Sequence, residues 1–178
     1  GMTARKTAQP KQTGASEASS GDYETKFAEF EYAIWHLGAA FARWRRDCLG
    51  SVSDVSLSST EASILHAVHM NGTDKGLVDI GRLLHRDDMT NIQYGLKKLG
   101  QLGLIEKRGN SRKNMTYAVS ARGDEIIGAY LEQRRKVLLR LFQQVAPDPD
   151  DLDTLILQMH VMIGIYDQSG DLIMNRQP

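Results

Sequence analysis

The chain has 178 residues, enough for one domain with a real core and a few added helices. Its 41% hydrophobic and 25% charged content is that of an ordinary globular protein, and a formal net charge of zero excludes any global attraction to nucleic acid, so a polyanion could be held only by a local patch. A single cysteine excludes an internal disulfide and fits a reducing compartment, and no apolar run approaches the roughly 20 residues needed to span a bilayer.

Gly1 precedes Met2 and reads as an addition ahead of a natural start. Residues 1–22 contain no aromatic and almost no aliphatic bulk, so they are expected to form a flexible tail. The segment has no apolar stretch of the secretory kind, and the expected location is the cytoplasm. From about Tyr23 to Cys48 the apolar residues Phe27, Phe30, Ile34, Leu37, Phe41, Trp44 and Cys48 recur at steps of three and four, the pattern of one long helix. Tyr32, Trp35 and Ala40 lie off that seam, so the apolar surface is wider than one contact needs. Such a face suits an interface between subunits. Residues 23–56 are therefore expected to be a dimerisation helix with its linker.

Ser58-Ser59-Thr60-Glu61 has the form of a capping box opening a helix through Ala62, Leu65 and Val68, with Asn71-Gly72 closing it. Gly76 leads into a short helix, Leu77 to Leu84, whose Leu77, Ile80, Leu83 and Leu84 are expected to face the core. After a turn at His85-Arg86 comes a longer helix with Ile92, Leu96 and Leu99 on one face. The opposite face carries Thr90, Tyr94, Lys97 and Gln101, flanked by Asn91 and Lys98. Asp87 or Asp88 is expected to cap it. Gly95 and Gly100 inside it each cost about 1 kcal/mol relative to alanine, which points to close backbone packing or to a tolerated weak spot. Gly103 ends the helix, and Leu104-Ile105 begins a strand. Lys107, Arg108, Arg112 and Lys113 crowd a turn at Gly109-Asn110, and Met115, Tyr117 and Val119 alternate as a second strand. Between Lys97 and Lys113 there are six basic residues and one acidic, Glu106. This order is a helix-turn-helix followed by a two-stranded wing.

Ser120 is expected to cap a single helix over about 121–145, with Ile127, Tyr130, Leu131, Leu138, Leu141 and Val145 on one side. Pro147-Asp148-Pro149 breaks it, and Asp148 with Pro149 at the first helical position starts a last helix. There Leu152, Leu155, Ile156, Met159, Ile163 and Tyr166 form a stripe. Residues 148–178 hold six Asp and one Arg, a charge that belongs away from DNA. The expected fold is mainly α (α+β): a winged helix-turn-helix over 57–120, long N- and C-terminal dimerisation helices (the latter over 121–170), and a tail over 171–178.

Residues 57–123 resemble the winged-helix domain of the MarR family of bacterial transcription regulators. The resemblance is carried by LKKLGQLGLIEKR (residues 96–108), by the basic wing, and by VSARG (residues 119–123), which stands where the family has a Leu-Thr-x-x-Gly run. Ser111-Arg112-Lys113 takes the place of the family's Asp-Arg-Arg. The resemblance implies a homodimer whose two heads read half-sites of double-stranded DNA roughly 34 Å apart. Thr90, Asn91, Tyr94 and Lys97 would lie near base edges; Lys98, Arg108, Arg112 and Lys113 would hold phosphates. It also implies a small aromatic-carboxylate effector, with Trp35 or His36 lining its pocket; some relatives sense redox state through a thiol, but Cys48 falls on the apolar seam, where a buried inert thiol is expected.

Three histidines, His66, His69 and His85, lack the acidic or thiol partners of a metal site, so neither metal nor cofactor is expected. No arrangement of nucleophile and base, phosphate-cradling loop or paired carboxylates suggests catalysis, and no enzyme activity is expected. The alternative to a DNA reader is a winged-helix protein–protein adaptor, favoured by Asp87-Asp88, by the neutral net charge and by the altered wing at Ser111-Arg112-Lys113.

Overall fold

A computed structural model describes residues 15–175; the rest of the expected tails, 1–14 and 176–178, lies outside the described residues. The chain divides into two compact units at Asp47/Cys48.

The first unit consists of helix α1, which runs Ala15–Val52 and carries its last residues into the second unit. It is longer at both ends than the apolar seam predicts, so residues 15–22 are helical rather than tail. The seam is largely uncovered: Phe27, Ile34, Leu37 and Phe41 are exposed, while Phe30 and Trp44 are half-buried. Trp35 is 71% exposed and meets Tyr32 edge-on at 5.7 Å, and Tyr32 also lies beside His36.

The second unit is built on α2 (Ser59–His69), α3 (Leu77–Leu84), α4 (Met89–Gln101), β1 (Ile105–Arg108), β2 (Thr116–Val119), α5 (Ala121–Lys136), α6 (Leu138–Val145) and α7 (Pro149–Met174). Ile64, Leu65, Ile80, Ile92, Leu96, Leu99, Leu104 and Ile127 form its buried centre, so α2 to α5 each contribute an apolar face. Each fully buried side chain of this size stabilises the fold by roughly 1.5–3 kcal/mol. Cys48 joins this core at 3% exposure, its thiol directed to the Tyr130 carbonyl, and burial pushes its pKa up. A thiol so placed is a poor source of thiolate.

Local chemistry sets the ends of the elements. Ser58 accepts the Glu61 amide at 3.1 Å, one arm of the expected capping box, but the Glu61 carboxylate takes the Ser58 hydroxyl at 3.0 Å in place of the Ser58 amide, so the reciprocal arm is not made. Ser120 accepts the Gly123 amide, and Asp148 accepts the Asp150 amide ahead of Pro149. Gly123 is required where it stands: a Cβ there would lie 2.2 Å from the Leu104 carbonyl oxygen, which ties α5 closely to the start of β1. That contact gives the glycine of VSARG its physical reason.

Two expectations are corrected and one, for β2, holds. The single helix over 121–145 is interrupted at Val137 (φ −111, ψ −65). Its stripe is buried only at Ile127 and Tyr130, while Leu141 and Val145 are exposed, so nothing in the same unit holds the later turns on the α5 axis. In β2 Tyr117 and Val119 are half-buried, as expected, and Val119 shares the face of buried Ile105, which stands opposite it; Ala118 is buried on the other face. Leu83 is exposed, and Gly81 takes the buried position on α3.

α7 buries none of its side chains fully; Leu152, Leu155, Ile156, Met159, Ile163 and Tyr166 are all exposed. No helix among the described residues is long and apolar enough to cross a membrane.

Candidate nucleic-acid interface

α4 is held from two sides. Its buried face, Ile92, Gly95, Leu96 and Leu99, packs on the core, and Gly95 lets Ile64 of α2 approach its backbone: a Cβ there would sit 2.3 Å from Ile64 Cδ1. Gly100 has nothing near it and is a tolerated weak spot. The turn into α4 is tight. His85 adopts φ +55, its amide donates to the Arg82 carbonyl, and the Arg86 amide donates to Gly81 at 2.9 Å. Gly81 admits this turn, since a Cβ would meet the Arg86 oxygen at 2.9 Å and the end of Met89 at 2.7 Å.

The opposite face of α4 is open. Thr90, Asn91, Tyr94 (69% exposed), Lys97, Lys98 and Gln101 are all on the surface. Asn91, Tyr94 and Lys98 line a cleft of about 400 Å³ beside the N-terminus of α2, with Ser58, Thr60 and Arg86 on its other wall. At the far end Gly103 (φ +72) stops the helix: its amide donates to Gly100, and Leu104's to Leu99. That double bond turns the chain straight into β1.

The wing follows. β1 and β2 pair antiparallel, Ile105 opposite Val119 and Arg108 opposite Thr116. Lys75 adds a bridge on the outer edge of β2, its amide donating to the Tyr117 carbonyl at 3.0 Å and its carbonyl accepting from the Tyr117 amide at 2.8 Å. Gly109 at the tip has φ +112, and a Cβ there would fall 2.2 Å from the Asn114 oxygen. Arg112 and Lys113 lie exposed in a short 3₁₀ turn, Arg112–Asn114, and Lys107 is exposed on β1.

Four residues that carry this geometry were not legible as such from the sequence. Lys75 is buried and its ammonium donates to the carbonyls of Val68 (3.0 Å), Met70 and Thr73 (2.7 Å), so it closes the end of α2. Burial lowers its pKa. Asp74 takes both oxygens to Arg108 Nη1 at 3.1 and 3.2 Å, so that one of the expected phosphate ligands starts out in an ion pair. Arg86 closes a fork on Asp88, through Nε at 2.8 Å and through Nη2, while its Nη1 donates to Thr60 at 3.0 Å. The expected cap does not form: Asp88 stands at the N-cap of α4 but makes no side-chain cap bond, because Arg86 and Asn91 occupy its oxygens. Arg86 and then Asn91 hold the Asp88 carboxyl well below the usual carboxylate range.

The histidines are dispersed. His66 bonds the Ala62 carbonyl and stacks edge-on against Tyr130; His69 approaches Asp124 at 3.4 Å; His85 meets Asp167 of α7 at 2.7 Å. Among the described residues no cluster of three potential metal ligands occurs.

Residues 57–123 match the winged helix DNA-binding domain. That defines the class of the second unit's core: two helices and a turn carrying an outward α4, followed by a wing. Solved structures of MarR family transcription regulators share this fold. A crystal structure of a MarR family transcription regulator is 18% identical and covers 86% of this chain and 99% of its own, with a TM-score of 0.64. A MarR family regulator from Neisseria meningitidis is 14% identical, covers 81% and 95%, and also gives 0.64. The transcriptional regulator BldR from Sulfolobus solfataricus is 18% identical and covers 78% and 95%, at 0.55. Among curated proteins, none matches the sequence significantly.

Proposed function

We propose that this chain is a transcription regulator that binds double-stranded DNA as a homodimer. The observation that carries the reading is the open polar face of α4 set beside a cationic wing within one compact unit. A helix of this shape fits the major groove, and a basic hairpin next to it reaches the flanking backbone. In this reading Thr90, Asn91, Tyr94 and Lys97 approach base edges, while Lys98, Arg108, Arg112 and Lys113 hold phosphates. Residues 57–120 form the reading head, and the apolar faces of α1 and of α7 are covered by the second subunit. Two of a kind related by a dyad is the commonest closed assembly and presents two heads to one duplex.

An adaptor that no longer reads DNA is less well supported, because Asp88, one of the two carboxylates that favour it, is neutralised by Arg86. The test combines both questions. The full chain is sized by sedimentation, then titrated with duplexes recovered from a random pool at several salt concentrations. A dimer is expected, and Arg112→Ala with Lys113→Ala should flatten the slope of log K against log salt by roughly 1.8 per bound subunit. An unchanged slope removes the wing from the reading, and failure to retain any duplex removes the reading itself.

A further inference from the structure

Resting on that reading, we infer that Asn91 recognises an adenine in the major groove and that the Arg86–Asp88 pair is the device that positions its amide to do so. Asn91 is the third residue of α4 and exposed, and in a helix-turn-helix the first residues of the outward helix are those that meet base edges. Its side chain is not loose. Asn91 Nδ2 donates to Asp88 Oδ2 at 3.1 Å. Asp88 is itself fixed, since the Arg86 fork takes both its oxygens and Arg86 is anchored to Thr60 on α2. The chain of contacts therefore runs from α2 through a rigid ion pair to one amide on the reading face.

The chemistry of that amide follows by subtraction. A carboxamide has two N–H donors and one carbonyl acceptor. One N–H is committed to Asp88, and what remains is a single donor beside a single acceptor. In the major groove adenine alone offers the complement, an acceptor at N7 next to a donor at N6. Guanine presents two acceptors, which would set O6 against the Asn91 carbonyl; cytosine presents a donor, thymine an acceptor and a methyl group. The Asp88 bond also resolves which end of the amide is which, because a carboxylate accepts only from nitrogen. Without it, the amide could rotate and lose that selection.

The pair answers an electrostatic objection as well. An unpaired carboxylate beside a duplex would repel phosphates, whereas Asp88 carries its own counter-charge in Arg86. Arg86 in turn, with its fork closed on Asp88, is not presented to guanine. The two residues act through Asn91 and are positioning residues.

The experiment uses the full chain and the duplexes it selects from a random pool, with affinities measured by fluorescence anisotropy for the selected site and for every single base-pair replacement in it. The wild-type chain should show one A·T pair in each half-site whose replacement by G·C weakens binding by about 5- to 150-fold. Asn91→Ala should reduce that penalty to under about twofold while leaving the penalties at other positions in place. Asp88→Ala, made together with Arg86→Ala so that no released guanidinium meets the duplex, should lower the penalty at the same pair by at least about threefold and leave the rest of the profile unmoved, a selectivity that a general loss of folding would not produce. A uniform loss across all duplexes in Asn91→Ala would place Asn91 on the backbone and overturn the inference. So would a preferred base other than adenine at the Asn91-dependent position, or an adenine preference indifferent to that double substitution. Either leaves the DNA-reading proposal standing; a wild-type chain that selects no duplex ends both.

Discussion

Gly95→Ala tests how tightly the reading helix is seated. A Cβ at this position would lie 2.3 Å from Ile64 Cδ1, against the roughly 3.5–4.0 Å at which carbon atoms pack comfortably. Ile64 has no exposed surface, so its end cannot swing into solvent. Two effects then oppose each other. Alanine gains about 1 kcal/mol over glycine in a helix interior. Overpacking a closed core costs about 1–3 kcal/mol, and a contact this short places the cost near the upper end. A net loss of about 1–2 kcal/mol is expected, read as a lowered urea midpoint at fixed protein concentration, since subunit association would otherwise shift it. Two companion variants turn the sign. Ile64→Val removes Cδ1 and leaves Cγ1, which is at an ordinary 3.8 Å, so Gly95→Ala in that background should stabilise by up to about 1 kcal/mol. Gly100→Ala meets nothing and should stabilise in the wild-type background by a similar amount. If Gly95→Ala has the same effect with and without Ile64→Val, the seat described for α4 is wrong.

Two shorter predictions concern the turn and the wing. The Asp88 carboxyl titrates low because of Arg86 and then Asn91, so its stabilising contribution is fully present above the ordinary carboxylate value of about 4 and is lost as pH falls through the lower folded value. The stability difference between wild type and Asp88→Asn should therefore be flat from pH 7 to about 5 and shrink on further acidification in paired thermal melts; a difference that widens would contradict the ion pair. Lys75→Met keeps the apolar stem but deprives the Val68, Met70 and Thr73 carbonyls of their donor, and a loss of roughly 1–3 kcal/mol with faster amide exchange near Tyr117 is expected. No change in either measurement would mean that these carbonyls are satisfied without it.

What the sequence discloses here is what depends on near neighbours. The buried stripe of α4 follows from Ile92, Leu96 and Leu99 alone, and the starts of α2, α5 and α7 from Ser58, Ser120 and Asp148-Pro149, because a cap is completed within three residues. The wing is legible from Gly109 and its flanking cations for the same reason. Features that depend on distant partners are not legible. Gly95 and Gly100 read alike in sequence, and only the presence of Ile64 across the core separates them. Asp88 looks like a cap until Arg86 competes for its oxygens, and Arg86 is drawn there partly by Thr60, which is 26 residues away. The break at Val137 carries no proline or glycine to announce it, since its cause is the end of buried surface rather than a helix-breaking residue.

The distribution of charge explains how a chain of zero net charge can hold a polyanion. Two of its acids are paired with cations of the reading unit, Asp74 with Arg108 and Asp88 with Arg86, so they neither repel a duplex nor lie idle. Of the six basic residues between Lys97 and Lys113, Arg108 alone makes an ion pair among the described residues, with Asp74 and, at 3.9 Å, with Glu106. Lys97, Lys98, Lys107, Arg112 and Lys113 are exposed and available to phosphates. For two subunits, at roughly 0.9 per neutralised phosphate, these five contribute at most about 9 to the magnitude of the salt slope. Arg108 can join only by sharing or giving up Asp74, which offsets part of what a phosphate would contribute. Arg108→Ala should accordingly change the slope less than Arg112→Ala does in the same titration. Equal changes would mean that DNA displaces Asp74 outright, and the wing base would then have to rearrange on binding.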